Sequence, residues 1–261
     1  MSTSFKDHFS GQAATYAAFR PTYPPRLFAW LAGLVTNRTL AWDVGAGSGQ
    51  AAVGLADHFA RVVATDASAA QLEHATQHPR VEYRVAAAGV SGLPDRSVDL
   101  VTVAQALHWF DIEGFFGEAR RVLVPGGVLA VWCYGDPKLD DPLLDAMLHR
   151  FNRGTVEEYW PPERDLVLEE YRTIRFPLPE LPTPPFALEA SWSLPKLLGY
   201  LRSWSATARY VKRHGSDPVV ALESQMQGTW GSPDTQHRIE WPVTLRAGRR
   251  VEPSQTPASQ G

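Results

Sequence analysis

The sequence predicts a doubly wound α/β fold, a mostly parallel sheet covered by helices on both faces. Strand-like and helix-like segments alternate through about 95 residues, from Leu40 to Tyr134. The strand-like runs are almost wholly apolar, as strands buried on both faces are. The first of them, Leu40 to Val44, runs directly into Gly45-Ala-Gly-Ser-Gly49, and a helix-like run opens at Gln50. Glycines at this point let the backbone turn tightly and let a ligand come close. A helix start adds unpaired N–H groups, which suits a nucleotide-like ligand.

The elements follow in order. Residues 4–19 can form a helix carrying Phe5, Phe9, Tyr16 and Phe19, broken by Arg20-Pro-Thr-Tyr-Pro-Pro25. A second helix is expected from Pro25 to about Thr36, with proline tolerated in its first turn. Strand 40–44, the glycine turn and helix 49–59 come next. Val62 to Thr65 reads as a strand ending at Asp66, and Ser68 is suited to cap a helix reaching about Gln77. Strands are expected at 81–85 and 98–104, a helix at 112–123, a Pro125-Gly-Gly127 turn, and a strand from Val128 to Tyr134.

Residues 135–185 differ in composition, being rich in proline and charge, with an amphipathic stretch at 140–151. Short β-like pieces return at 186–190 and 238–246, around helical stretches near 194–213 and 216–230. The expected organisation is therefore an N-terminal helical segment (1–38) and a ligand-binding core (39–134). An inserted cap (135–185), a completion of the sheet (186–248) and a tail (249–261) with the composition of disorder follow.

Bulk properties narrow the function. The chain has 261 residues, 25 basic against 28 acidic, and a net charge of −3, which argues against non-specific nucleic-acid binding. Its single cysteine, Cys133, lies in an apolar run and allows no internal disulfide, which fits a reducing compartment. The opening lacks the apolar stretch of a signal peptide, and no run approaches the roughly 18 apolar residues of a membrane helix. A soluble cytoplasmic protein is expected, with no membrane partner. Nine tryptophans hint at an aromatic-lined pocket. Histidines and cysteine lack ligand spacing, so no metal site is expected.

Chemistry is expected where the strands end, since ligands of doubly wound sheets bind at their carboxyl ends. Asp66 can accept two hydrogen bonds from a ribose diol; otherwise it caps a helix or faces solvent. Asp43, a carboxylate among apolar neighbours, either faces a ligand ammonium or braces the turn amides. Gln105 and His108 are the polar groups of the loop after strand 98–104, beside Trp109 and Phe110. His108 is suited to be a general base, or it holds the loop by a hydrogen bond. Tyr16 and Arg20 precede the sheet and can fold over the ligand; arginine grips a carboxylate bidentately, or caps a helix end. The glycines do not make a dinucleotide fingerprint, because its third glycine is replaced by Gln50. There is no P-loop and no nucleophile elbow.

Together, Asp43-Val-Gly-Ala-Gly-Ser-Gly49, Asp66, Ser97 to Phe110 and Arg121-Val-Leu-Val-Pro-Gly-Gly127 resemble the class I S-adenosylmethionine-dependent methyltransferases. Tyr16-x-x-x-Arg20-Pro-x-Tyr-Pro24 is similar to the N-terminal segment of the trans-aconitate methyltransferase-like small-molecule branch. The resemblance implies a seven-stranded Rossmann-like sheet whose last strand, about 238–246, runs antiparallel. It implies S-adenosyl-L-methionine as cofactor and S-adenosyl-L-homocysteine as product. Gly45, Ala46, Gly47 and Gly49 would hold the methionine part, and Asp66, with Ala67 and Gln71 beside it, the ribose. Ala87 and Ala88 would lie along the adenine. The chain departs from the pattern at Gly89, where relatives carry an acidic residue.

The expected reaction is transfer of a methyl group to an oxygen, less readily a nitrogen, of a small-molecule acceptor, a carboxylate included. His108, Trp109, Tyr159 and Trp160 are the expected acceptor pocket, and a monomer or homodimer is expected. The alternative is a non-catalytic S-adenosylmethionine-binding or regulatory protein, which Gly89 favours. A nicotinamide-dependent oxidoreductase is disfavoured by Gln50, and an RNA methyltransferase by the charge balance.

Overall fold

The computed structural model describes residues 20–252. Tyr16 and the helix expected over 4–19 lie outside the described residues, as do residues 253–261 of the expected tail.

The elements are α1 (Pro25–Gly33), β1 (Leu40–Val44), α2 (Gln50–Ala56), β2 (Arg61–Asp66), α3 (Ala69–Glu73), β3 (Val81–Val85), β4 (Val98–Ala104), α4 (Ile112–Val122) and β5 (Leu123–Tyr134). Then come β6 (Lys138–Leu139), α5 (Pro142–Arg150), α6 (Arg164–Leu168), β7 (Glu180–Leu181) and β8 (Phe186–Trp192). Helices α7 (Leu194–Arg202), α8 (Ser205–His214) and α9 (Val219–Trp230) lead to β9 (His237–Arg249). The sheet runs β3-β2-β1-β4-β5-β9, with β3, β2, β1, β4 and β5 mutually parallel and β9 antiparallel to β5. The two-residue strand β6 continues β5 along one edge of β9, and β7 with β8 occupies the other edge. Nine strands thus fill seven positions across the sheet. The doubly wound, mostly parallel fold with an antiparallel last strand is the observed one.

Side-chain alternation explains why both faces are apolar. Ala41, Val62, Ala64, Leu100, Val128 and Ala130 meet Leu27, Phe28 and Leu31 of α1 and the alanines of α2. Their neighbours Trp42, Val63, Val101, Val103, Leu129 and Val131 meet Phe115, Phe116 and Ala119 of α4. A third core joins α5 to α7, α8 and α9 and the far end of β9, and contains Trp192, Trp204, Trp230 and Trp241. Trp42 and Trp132 are fully buried in the sheet. Most of the tryptophan excess is therefore core, and only part of it lines a pocket.

Two expectations need correction. The Pro-Gly-Gly segment is not a turn before β5 but a bulge inside it, where the pairing with β4 shifts register between Val98 and Leu100. Gly126 there has φ +79 and donates its N–H to the Arg250 carbonyl at 2.8 Å. Nor does the last strand stop at about 246, or the ordered chain before 249. β9 continues to Arg249, whose guanidinium donates to the carbonyls of Gly126 and Leu34, each at 2.8 Å.

Candidate active site

The carboxyl ends of β1, β2, β4 and β5 open onto one cavity of about 780 Å³. Its floor is the glycine turn. Gly45 (φ +68), Gly47 (φ +53) and Gly49 (φ +80) all take left-handed backbone angles that side chains disfavour. Around Gly47 the space is open, since a Cβ added there would come near only Gln71 Oε1, at 3.9 Å. That space is a cradle which any other residue would fill.

Asp66 closes β2 and faces this cradle. Its Oδ2 accepts the N–H of Gly47 at 2.9 Å and its Oδ1 the N–H of Ser68 at 2.8 Å. A carboxylate oxygen can accept more than one donor, which is what a ribose diol requires. Ser68 meanwhile caps α3 by accepting from Gln71 N. Asp66, Ala67 and Gln71 all line the cavity, as do Gly45, Ala46 and Gly47. The loop from Ala86 through Ala87, Ala88 and Gly89 to Val90 forms another wall, with Gly89 packed beside Gly114, and Trp109 and Phe110 also line the cavity.

Gln50, the residue that breaks the dinucleotide pattern, has a role which sequence reading missed. Its Oε1 accepts from Tyr23 N at 2.9 Å and its Nε2 donates to the Pro21 carbonyl at 3.2 Å. The first residue of α2 thereby clamps segment 20–23 across the mouth of the cavity, where Arg20, Pro21 and Tyr23 form part of the wall. Arg20 also donates through Nη1 to the Tyr134 hydroxyl at the end of β5.

Gln105 is held under strain. Its φ is +55, sparsely populated for a residue with a side chain. The side chain mimics a peptide group: Oε1 accepts from Tyr134 N at 2.8 Å and Nε2 donates to the Tyr134 carbonyl at 3.2 Å. These bonds fix the end of β4 against the end of β5.

A second cavity, about 100 Å³, lies beside the first and shares Arg20, Gln105, Trp109 and Tyr134 with it. His108, Trp160, Arg164, Asp136, Tyr200 and Trp204 are among its other wall residues. The Arg164 guanidinium stacks 3.6 Å above the Trp160 ring and pairs with Asp136, which also pairs with Arg153 at 3.0 Å. Burial lowers the Arg164 pKa, and the Asp136 carboxylate opposes that shift. His108 Nδ1 lies 2.9 Å from the Tyr171 hydroxyl. Burial, with the guanidiniums of Arg20 and Arg164 adding to it, pushes the His108 pKa down to about 3. The imidazole is uncharged at neutral pH.

Three expected residues lie off both cavities. Asp43 is fully buried on the strand face beneath α2, where Oδ1 accepts from Thr102 Oγ1 at 2.8 Å. Burial pushes its pKa up to about 7, against the Thr102 hydrogen bond, with the Asp66 charge raising it further. Gly49 sits at the N-cap of α2, under Tyr83, whose hydroxyl lies 2.1 Å from where a Cβ would be. Tyr159 turns outward, bonding His214 Nε2 at 2.6 Å and packing edge-on against Tyr210. Tyr134, Asp136, Arg164 and Tyr200 are wall residues that the expected pocket omitted. Among the described residues, no cluster of three or more His, Cys, Asp or Glu could hold a metal ion. No described helix is long and apolar enough to cross a membrane.

Comparison with known proteins agrees on one family. A methyltransferase-domain family matches residues 42–131, from β1 to β5. A Dictyostelium discoideum protein named as a methyltransferase is 34% identical over 240 residues, covering 91% of each chain. A solved structure from Anaeromyxobacter dehalogenans, described as a type II methyltransferase, superposes with a TM-score of 0.85. It is 45% identical and covers 90% of this chain and 100% of its own. A Haemonchus contortus phosphoethanolamine N-methyltransferase, solved with S-adenosylhomocysteine, shares the fold at 16% identity and a TM-score of 0.51. That likeness covers 96% of this chain and 61% of its own.

Proposed function

This chain belongs to the class I S-adenosylmethionine-dependent methyltransferases, and on that premise we propose that it methylates an oxygen of a small acidic acceptor, such as a carboxylate. The cofactor is S-adenosylmethionine. When bound, it supplies a methyl group on a positively charged sulfur that is already an activated leaving group.

The observation that carries the reading is the pair of adjoining cavities with a shared wall. The larger has the volume of a cofactor site. In it Asp66 would take the ribose hydroxyls, the backbone of Gly45 to Gly47 the methionine part, and the 86–90 loop with Trp109 and Phe110 the adenine. Arg20, held over the mouth by the Gln50 clamp, would pair with the methionine carboxylate.

The smaller cavity suits an acidic acceptor. Arg164, which lines this cavity alone, brings its guanidinium to the wall beside its partner Asp136, with Trp160 and Trp204 as apolar faces and Arg20, turned to the cofactor carboxylate, at the shared edge. An amine, cationic at neutral pH, would be repelled there, whereas a carboxylate is drawn in and needs no deprotonation. The residues contribute orientation and exclusion of water, which can supply about 7–11 kcal/mol in well-aligned systems. The test is mass spectrometry after incubation with isotopically methyl-labelled S-adenosylmethionine and a panel of small carboxylic acids, phenols and amines. Labelled methyl esters are expected. Label appearing only on amines would overturn the proposal.

A further inference from the structure

His108 and Tyr171 meet where three strained backbones converge. Glu170 (φ +57) and Tyr171 (φ +56) are consecutive left-handed residues, and Gln105 (φ +55) stands three residues before His108. Two successive bulky residues with positive φ persist only where their surroundings enforce it. Here Tyr171 N donates to the Leu166 carbonyl at 2.8 Å, and Arg246 Nη1 donates to the Tyr171 carbonyl at 2.6 Å. The ring so placed is 1% exposed, in the core beneath α4, with its hydroxyl on His108 Nδ1.

The direction of that hydrogen bond follows from what surrounds the hydroxyl oxygen. Among the described residues, His108 Nδ1 is the one hydrogen-bond partner of the hydroxyl of this buried tyrosine. Its proton has no other acceptor there, and a buried donor left unpaired is costly, so the proton points at Nδ1. A ring nitrogen that accepts carries no proton, so the imidazole proton sits on Nε2. From this we infer that Tyr171 is a positioning residue which locks His108 as the Nε2–H tautomer, making it a hydrogen-bond donor to the smaller cavity and not a base.

The consequence is a finer acceptor class, and it rests on the proposed reaction. The acceptor atom facing His108 is an oxygen without a proton of its own, the second oxygen of a carboxylate or a carbonyl oxygen. The charged and titratable groups facing the pair are Arg20 and Arg164, with its partner Asp136, at the cavity, and Cys133 and Tyr23 near Tyr171. Burial first, and the two arginines after it, disfavour a charged imidazole, so the donor is neutral.

The test is nitrogen NMR of the full chain labelled with 15N-histidine, with His108→Gln used to assign the signal. For wild type the expected spectrum has a protonated Nε2, an unprotonated Nδ1, and no titration from about pH 5 to 8, where a free imidazole titrates. In Tyr171→Phe the lock is gone and Nδ1–H character should appear. A wild-type proton on Nδ1, or titration near neutral pH, overturns the inference. If the Phe variant fails to fold, the wild-type spectrum still decides. No acceptor is involved, so failure here differs from failure to find methyl transfer.

Discussion

The backbone amide of Gly47 donates to Oδ2 of Asp66 across 2.9 Å, joining the turn after β1 to the end of β2. One carboxylate therefore shapes the cradle and faces the space where a ribose would lie. Asp66→Ala should weaken S-adenosylmethionine binding roughly tenfold to hundredfold, the loss of one or more hydrogen bonds to a charged group. Titration calorimetry, with circular dichroism to verify the fold, measures it; an unchanged dissociation constant removes Asp66 from the ribose role.

Gly45→Ala should damage both stability and binding. A Cβ there would sit 2.7 Å from Ala106 Cβ and 3.0 Å from the Phe110 ring, on a backbone with φ +68. The left-handed conformation alone costs about 1–2 kcal/mol for an L-residue. Gly117→Ala is the control: it lies inside α4, with nothing within 4 Å of an added Cβ, and should stabilise by about 0.5–1 kcal/mol. Urea denaturation of both variants decides, and equal midpoints for Gly45→Ala and wild type would refute the argument.

Asp43 predicts a pH dependence of stability. Its folded pKa of about 7 lies above the ordinary 3.8, so between those values the folded state holds a proton that the unfolded state has lost. Stability from this group is full below about pH 4 and falls as pH rises toward 7, by up to about 1.4 kcal/mol per pH unit. Asp43→Asn should flatten the decline. Thermal midpoints from pH 4 to 8 that fall equally in both proteins would show that Asp43 is not its source.

Arg164→Met should separate the two cavities functionally. Arg164 lines only the smaller one. With an acidic acceptor, KM should rise roughly tenfold or more while cofactor affinity stays put, since hydrogen bonds to charged groups are worth about 1.5–3 kcal/mol. Asp136 keeps Arg153 as a partner, so the fold should survive. Steady-state kinetics alongside calorimetry check both halves; unchanged KM would exclude Arg164 from acceptor binding.

Much of the fold was legible because burial on two faces leaves a plain mark. β4, expected at 98–104, occupies those residues, and the Asp66 strand end and Ser68 cap lie where local chemistry places them. Long-range pairings left no such mark. Gln50 reads as a missing glycine, and only the fold reveals the segment that it clamps. Asp43 points under α2 because strand alternation puts it on the face of Ala41, away from the cavity. Tyr159 and Trp160 are neighbours in sequence, yet one faces His214 and the other the smaller cavity. Tyr171 carries no local signal at all; its place beside His108 depends on two strained residues and an arginine from β9.

The central claim is that the two cavities are donor and acceptor compartments meeting at Arg20, Gln105, Trp109 and Tyr134. A crystal structure with S-adenosylhomocysteine tests it most directly. The account predicts the ribose on Asp66 and the sulfur at that shared mouth, facing His108 and Arg164 across the smaller cavity. A sulfur turned toward the 86–90 loop, with the smaller cavity sealed from it, would contradict it.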